Sequence, residues 1–474
     1  MWLVYAATAG GSLGTGDAVA MFEEATSLID RHALDVPASQ STNAWRGVDG
    51  RYYTPFGLGQ PLYDVPFVLM GRVLQRVVPG TLSTGDTIPK AIVAMASTIP
   101  AAVAVIFGTL LAWRLSASMT ASVTSGLLLA FGSLLWPYGK SGFSAALAAG
   151  ALAGGVYGIA AGALDRRPLA AAAGGLCLGL ALLTRHEMAI AAVVCLVWLA
   201  WQTAGNVRLI VTGASGVALA AALSVSANVS RFGEPFVTGH RPEFSGAGFL
   251  AFAFSPSGAL WLYSPIAIAI VALVPDLRQW RPLPWLLVSV VASMALFYGA
   301  LDDWLGTRSY GPRYLVPLLP LLVAPLALWL TRTRPVSNFL IALCAISIAI
   351  QIPAIVVDPA KAGIAENQPA QAIRRDRWEW TPLWVNVRYV ARAVPANVQY
   401  VTGRAPAPSI AAGAANQPLN ERLSFSLDFW WLYLCYLGVI PAGLLPVILL
   451  PLAASALWLL QVVRRMARAV DDHA

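Results

Sequence analysis

The sequence predicts an all-α protein that threads a lipid bilayer about twelve times, with helices lying in the interface along its first outer loop. Three observations predict it. Of the 474 residues, 58% are hydrophobic and only 11% charged, and the mean hydropathy is +0.66, a balance no soluble domain of this size carries. Apolar stretches recur about every 20–30 residues, near the length a bilayer demands. Lys and Arg gather in the short loops between those stretches, as the positive-inside rule requires.

Composition also sets classes aside. The formal net charge of +8 brings nucleic acid to mind, but the cations flank membrane spans, so no nucleic-acid partner is expected. The 17 Trp and 14 Tyr suit an interfacial aromatic belt. Cys177, Cys195, Cys344 and Cys435 all lie inside apolar runs, where Cys behaves as a small hydrophobe. No CxxC or Cys/His spacing points to a disulfide framework or a metal site.

The expected spans are 1–14, 90–113, 119–137, 143–164, 168–184, 187–203, 208–228, 259–275, 284–300, 314–331, 335–356 and 429–463. The first has no basic region before it and no cleavage site after it, so it reads as a membrane helix and not a signal peptide. It is short for a span, which places the true start upstream or the helix inside protein. The last is long enough for strong tilt or a break at Pro441 or Pro446. Residues 61–78 are amphipathic instead: Leu62, Val65, Leu69, Val73 and Val77 share one face, with Asp64, Arg72, Gln75 and Arg76 elsewhere. That pattern fits a helix lying in the interface.

With twelve spans, Arg166-Arg167, Arg278 with Arg281, Arg332 with Arg334, and Arg464-Arg465 fall on one side, the cytoplasm. Residues 15–89, 229–258 and 357–428 then face outward, together with the short 301–313. The expected organisation is a transmembrane unit over 1–356, an extracytoplasmic segment over 357–428, and a last span with a cytoplasmic tail over 429–474. The middle segment becomes Ala/Pro/Gly-rich over 404–417, as a flexible linker does.

Candidate chemistry lies in the outward loops. Gly16-Asp17 follows the first apolar run and opens a helix whose Val19, Phe22, Ala25 and Ile29 recur at helical spacing. Asp is a favoured N-cap. It is also, at a membrane surface, what a general base for a sugar hydroxyl needs; both roles stay open. Glu23 and Glu24 read as solvated or salt-bridged. Asp49-Gly50 marks a tight turn beside Arg51, Tyr52 and Tyr53, either an aromatic anchor or a rigid loop over a lipid headgroup. His240-Arg241 sits in "RFGEPFVTGHRPEFSG", where the planar fork of Arg suits phosphate. Arg308 and Arg313 flank Tyr310 and Gly311 at the outer end of a span, with Asp302 and Asp303 as structural partners in the bland reading. Arg185, His186 and Glu187 share a tight outer turn, where Arg and Glu can simply neutralise one another. No span carries a chain of buried acids and no P-loop is present, so proton- or nucleotide-driven transport lacks its usual residues.

Taken in order, these stretches resemble the GT-C superfamily of polyprenyl-phosphate-sugar-dependent glycosyltransferases, in the branch of protein O-mannosyltransferase-like and lipid A aminoarabinose transferase-like proteins. Gly16-Asp17 looks like the catalytic acidic motif, and "YYTPFGLGQPLYDVPFVLMG" like the Pro-rich interfacial segment before the second span. "LTRHE" is similar to a Leu-Thr-Arg-Pro-Glu-like turn, and "FGEPFVTGH", "SPSGALWLYSP" and "GTRSYGPRYLVPLLP" to later segments of bacterial members. The resemblance covers roughly residues 1–330. It implies a GT-C-like fold in the inner membrane with its active site on the outer face. The implied donor is a monosaccharide on a polyprenyl phosphate, and the acceptor a glycan, lipid or protein. Asp17 would be the base of an inverting transfer. Arg313 and Arg241, then Arg185, Arg51 and Lys140, would hold the phosphate, with His240, Tyr310 and Tyr53 as substrate contacts. The loop after the third span departs from the pattern: "WPYGKSGFSAALAAG" has Lys140 and Ser144 where many members carry a second acid or a His. No essential metal or other cofactor is therefore expected. Two other readings remain, a transporter or flippase of a polyprenyl-linked sugar and an inactive assembly subunit.

Overall fold

A computed structural model describes residues 1–37, 44–77, 86–140, 142–237, 244–302, 304, 306, 309–332, 338–366, 368, 377–407 and 426–473. The chain is an all-α polytopic membrane protein. Among the described residues the β structure is one antiparallel hairpin, in which Trp45 faces Tyr53 and Arg46 faces Tyr52 across the Asp49-Gly50 turn, and two isolated bridges, Asp35 with Tyr53 and Phe244 with Leu301. Among the described residues seven helices are long and apolar enough to cross a membrane: Thr87–Ser116, Ser144–Leu164, Val207–Phe232, Pro282–Ala300, Arg313–Arg332, Asn338–Val356 and Ala442–Met466. Three shorter apolar helices, Met119–Phe131, Pro168–Thr184 and Met188–Gln202, stand among them.

The centre of the bundle is α1, Ser144–Leu164, flanked by α2, Pro168–Thr184, which packs in turn on α3, Val207–Phe232. Small residues set these distances. A Cβ on Gly158 would lie 2.6 Å from the Gly174 Cα, and one on Gly175 would lie 2.0 Å from the Gly213 carbonyl oxygen. The helices therefore touch backbone to backbone, the packing mode of membrane helices that have no solvent-driven attraction between them.

Two expected spans take another form. Residues 1–14 hold only the helix Trp2–Ala7, which ends on Thr8 and is held by Trp430 and Trp431, whose indoles donate to the Ala6 and Ala7 carbonyls at 2.9 and 2.8 Å. Residues 259–275 break into Leu260–Tyr263 and a 3-10 helix, Pro265–Leu273. Pro265 has no N–H to continue the first helix, and Ser264 turns its hydroxyl to accept from the Leu134 N–H at 3.0 Å. The last run breaks at Pro441, between helices Trp430–Tyr436 and Leu445–His473.

The segment between the first short helix and the helix at 87–116 carries two amphipathic helices, Gly16–Arg31 and Gly59–Val77. In the second, Leu62, Leu69, Val73 and Val77 are exposed, as an interfacial helix presents them to lipid. Its small face turns to the protein: Gly59 lies against Thr184 and Gly71 against Pro89. This inverts the environment expected for Asp64, which is buried and accepts from Gln60 at 2.8 Å. Arg72 clamps the two helices together through both oxygens of Asp30.

The bundle has two chemically different ends. At one, Arg114 pairs with Asp165, Arg166 reaches the Thr203 carbonyl, and Asp276 holds Arg332 at 2.5 Å and Arg281 at 3.1 Å. At the other, residues 10–17, 137–140, 142–144, 184–187, 309–314 and 354–359 converge, and the candidate chemistry lies there.

Candidate active site

Asp17 is held by the first turn of the helix Gly16–Arg31. The cap of that helix is Thr15, whose Oγ1 accepts from the Ala18 N–H at 3.3 Å. Asp17 sits two residues further in and is not the capping residue, which corrects the structural role its sequence position suggests. Its Oδ2 accepts from Arg313 Nη1 at 3.1 Å. Both side chains are largely sheltered, 21% and 13% exposed respectively, so water screens this pair less than a surface pair.

Arg313 opens the 3-10 helix Arg313–Leu318 at the lip of a span. Its guanidinium lies 5.4 Å from the Phe143 ring centroid and 5.1 Å from that of Tyr314, and Nη2 donates to the Tyr314 hydroxyl at 3.2 Å. Its buried Nε has no partner among the described residues. Gly306 makes the placement possible: its φ is +73°, and a Cβ there would stand 2.2 Å from that Nε.

Arg185 follows the last residue of α2. Its Nε donates to Glu187 at 2.9 Å and its guanidinium lies 5.2 Å from the same Tyr314 ring. Glu187 also accepts from the Tyr298 hydroxyl at 3.1 Å, and Tyr298 stacks on Tyr314 at 5.4 Å. Two guanidiniums therefore share one aromatic ring, and each has a carboxylate partner. They line a cleft together with Asp17, Phe143, His186 and the Pro55–Gly57 loop. Burial keeps the His186 imidazole below its ordinary value, and hence neutral near pH 7.

The remaining candidates are placed elsewhere. Lys140 is buried, and its Nζ donates to the Ile355 carbonyl and, at 2.8 Å, to the Asp428 carbonyl, with the Phe429 ring at 5.2 Å. Burial lowers its pKa to about 8. It ties the segments around 355 and 428 to the end of the bundle. Asp428 reinforces that tie by accepting from Lys361 at 3.0 Å. Arg51 is on the exposed hairpin turn beside Asp49 and Asp35. Tyr53 donates to Asp49 at 2.7 Å and packs on Phe232. Tyr310 is buried, with its hydroxyl donating to the Ile350 carbonyl at 2.6 Å. His240, Arg241, Asp303 and Arg308 lie outside the described residues.

Glu24 takes the salt-bridged of its two expected forms, and takes it in the interior: it is 0% exposed. Arg231 Nη2 donates to it at 2.5 Å and Thr54 to its other oxygen, while Arg231 Nη1 donates to the Thr54 and Phe56 carbonyls. Glu24 lies two helical turns from Asp17, so this pair fixes the helix that presents Asp17 and the Pro55–Gly57 loop that lines the cleft. Burial pushes the Glu24 carboxyl up to about 7, against the pull of Arg231. Glu23 pairs with Lys90 at 3.5 Å. Among the described residues no three His, Cys, Asp or Glu side chains converge. Tyr314, which orders both guanidiniums, was not singled out by the sequence; its place directly after Arg313 was the available signal.

No family model matches the chain, and no curated protein does. Two solved structures are similar to it. One is ArnT from Cupriavidus metallidurans bound to undecaprenyl phosphate: 14% identity, TM-score 0.44, covering 90% of this chain and 82% of that one. The other is the Archaeoglobus fulgidus oligosaccharyltransferase in the apo form: 13% identity, TM-score 0.47, covering 78% of this chain and 56% of that one.

Proposed function

We propose that the chain is a GT-C-type membrane glycosyltransferase that moves a monosaccharide from a polyprenyl phosphate to an acceptor hydroxyl of a glycan, lipid or protein. One observation carries the reading: a carboxylate, Asp17, and two ring-ordered guanidiniums, Arg313 and Arg185, line a single cleft beside an interfacial helix. A transfer of this kind needs a base for the acceptor and a cationic seat for the leaving phosphate.

The chemistry follows from the charges. The donor phosphodiester takes Arg313 and Arg185 into hydrogen bonds and loosens the Asp17–Arg313 contact. Asp17 then accepts the proton of the acceptor hydroxyl while that oxygen bonds to the anomeric carbon. The bond from the anomeric carbon to the phosphate oxygen breaks, and the configuration inverts. The leaving polyprenyl phosphate gains one negative charge, which the guanidiniums neutralise. The ordered motifs described above support the same reading.

The basic end of the bundle, with Arg114, Arg166, Arg281 and Arg332, supports a cytoplasmic assignment for that end. The cleft then opens to the extracytoplasmic side of the inner membrane. The two guanidiniums supply the positive charge, so the proposal includes no metal, and chelation with EDTA leaves the rate unchanged.

The test is purified protein in detergent with radiolabelled polyprenyl-phosphate sugars and extracted membrane acceptors. Wild type transfers label, and Asp17→Asn does not. Full activity in Asp17→Asn would remove the base assignment. Flux of label across sealed vesicles without product would replace transfer by transport.

A further inference from the structure

The basic end of the bundle holds a feature the transfer reaction does not use. A groove of about 820 Å³ runs between the helices Met119–Phe131 and Asn338–Val356 on one side and the terminal helix Leu445–His473 on the other. Leu128, Ile341 and Ile348 line it, and Arg464 and Arg468 stand over its mouth. Those two arginines are four residues apart, so they rise from one helix face. Neither forms an ion pair among the described residues, whereas the neighbouring Asp165 and Asp276 are already held by Arg114, Arg281 and Arg332.

The terminal helix touches the bundle along Met119–Phe131 and Trp2–Ala7 and leaves most of its surface uncovered. Only 6% of its membrane-spanning window is buried, and Val447, Leu450, Leu457 and Trp458 are exposed. In a bilayer such a gap does not stay empty: along the stretch walled by Leu127, Leu128, Phe131, Ile341 and Ile348 water would lack hydrogen-bond partners, and a void would forfeit dispersion contacts. Acyl chains fill it. The headgroup is then chosen by charge. Among the described residues no carboxylate lines the groove, so an ammonium-bearing zwitterionic headgroup would set its cation beside two arginines. A headgroup with net negative charge meets only complementary groups.

We propose that this groove is a structural site for one anionic diacyl phospholipid, with its phosphate on Arg464 and Arg468 and its chains between the terminal helix and the bundle. The site lies at the opposite end from Asp17 and is independent of the glycosyltransferase reading.

The experiment is native mass spectrometry of the full chain released from nanodiscs of dioleoyl phosphatidylglycerol or dioleoyl phosphatidylcholine. Wild type retains phosphatidylglycerol and not phosphatidylcholine. Arg464→Ala/Arg468→Ala weakens retention about thirty-fold, while Arg208→Ala, exposed at the same end but outside the groove, leaves it unchanged. Arg464→Lys/Arg468→Lys keeps the charge and most of the retention, which separates lost binding from a lost fold. Equal retention by the double alanine variant, or of phosphatidylcholine by wild type, overturns the proposal. So does displacement of the lipid by glycerol phosphate, which would make this a site for soluble phosphate.

Discussion

Asp17 and Arg313 stand 296 positions apart in the sequence and join at 3.1 Å, a carboxylate from the first turn of one helix against a guanidinium at the lip of another. The pair has a built-in exchange. Without substrate each charge satisfies the other in a sheltered site. In the proposed transfer a donor phosphate competes for the guanidinium, and the carboxylate it releases is the one the acceptor needs. Base and anion seat therefore become available together.

The first prediction separates base from cap. Asp17→Asn keeps the shape and removes the proton acceptor, so transfer falls about 10²–10⁴-fold with little change in thermal stability. Thr15→Ala removes the capping oxygen and lowers stability by about 1 kcal/mol, with turnover largely retained. Rates with a radiolabelled donor and melting in detergent read the two effects. Comparable rate losses in both variants would mean that Asp17 acts through helix geometry.

The second concerns Glu24 and Arg231. Removing either partner leaves a buried charge uncompensated, so Glu24→Ala and Arg231→Ala each destabilise by about 3–5 kcal/mol. The pH dependence has a defined sign. The Glu24 carboxyl is raised in the folded state from its ordinary 4.5 to about 7, so the folded state binds more protons in that window. Its contribution is complete below about pH 4.5 and is lost as pH rises to about 7. Glu24→Gln flattens this decline in a pH series of melting temperatures.

The membrane-spanning helices and the interfacial helix were legible because hydropathy and periodicity are local properties. So were Asp17, Arg185 and Arg313, each at the end of an apolar run where a charge stands out. Long-range partnership was not. Glu24 carries no local mark that Arg231, 207 positions away, will bury it. Thr15 and Asp17 both suit a cap, and only backbone geometry decides between them. The break within 259–275 had a signal, Pro265, but hydropathy alone ran through it.

Lys140 gives the third prediction. Its ammonium is occupied by the Ile355 and Asp428 carbonyls, so Lys140→Met strands two acceptors and lowers stability by about 2 kcal/mol. Binding of a polyprenyl phosphate, followed by fluorescence titration, changes less than about two-fold. Arg185→Ala shows the opposite pattern, with weaker binding and a smaller shift in melting. A large loss of phosphate binding in Lys140→Met would return this lysine to the anion seat.

Tyr314 decides whether the two guanidiniums act as a unit. Its ring lies 5.1 Å from Arg313 and 5.2 Å from Arg185, and its hydroxyl accepts from Arg313. Tyr314→Phe keeps the ring and removes one hydrogen bond, so kcat falls about five-fold, the equivalent of ~1 kcal/mol. Tyr314→Leu removes the shared surface. At roughly 0.5–2 kcal/mol for each cation–π contact, kcat falls about 10–100-fold and inhibition by free polyprenyl phosphate weakens in parallel. The parallel loss is diagnostic, because free polyprenyl phosphate carries the charge that the leaving group develops. If Tyr314→Leu lowers kcat but leaves that inhibition intact, the ring supports the fold and the arginines are ordered by their carboxylates instead.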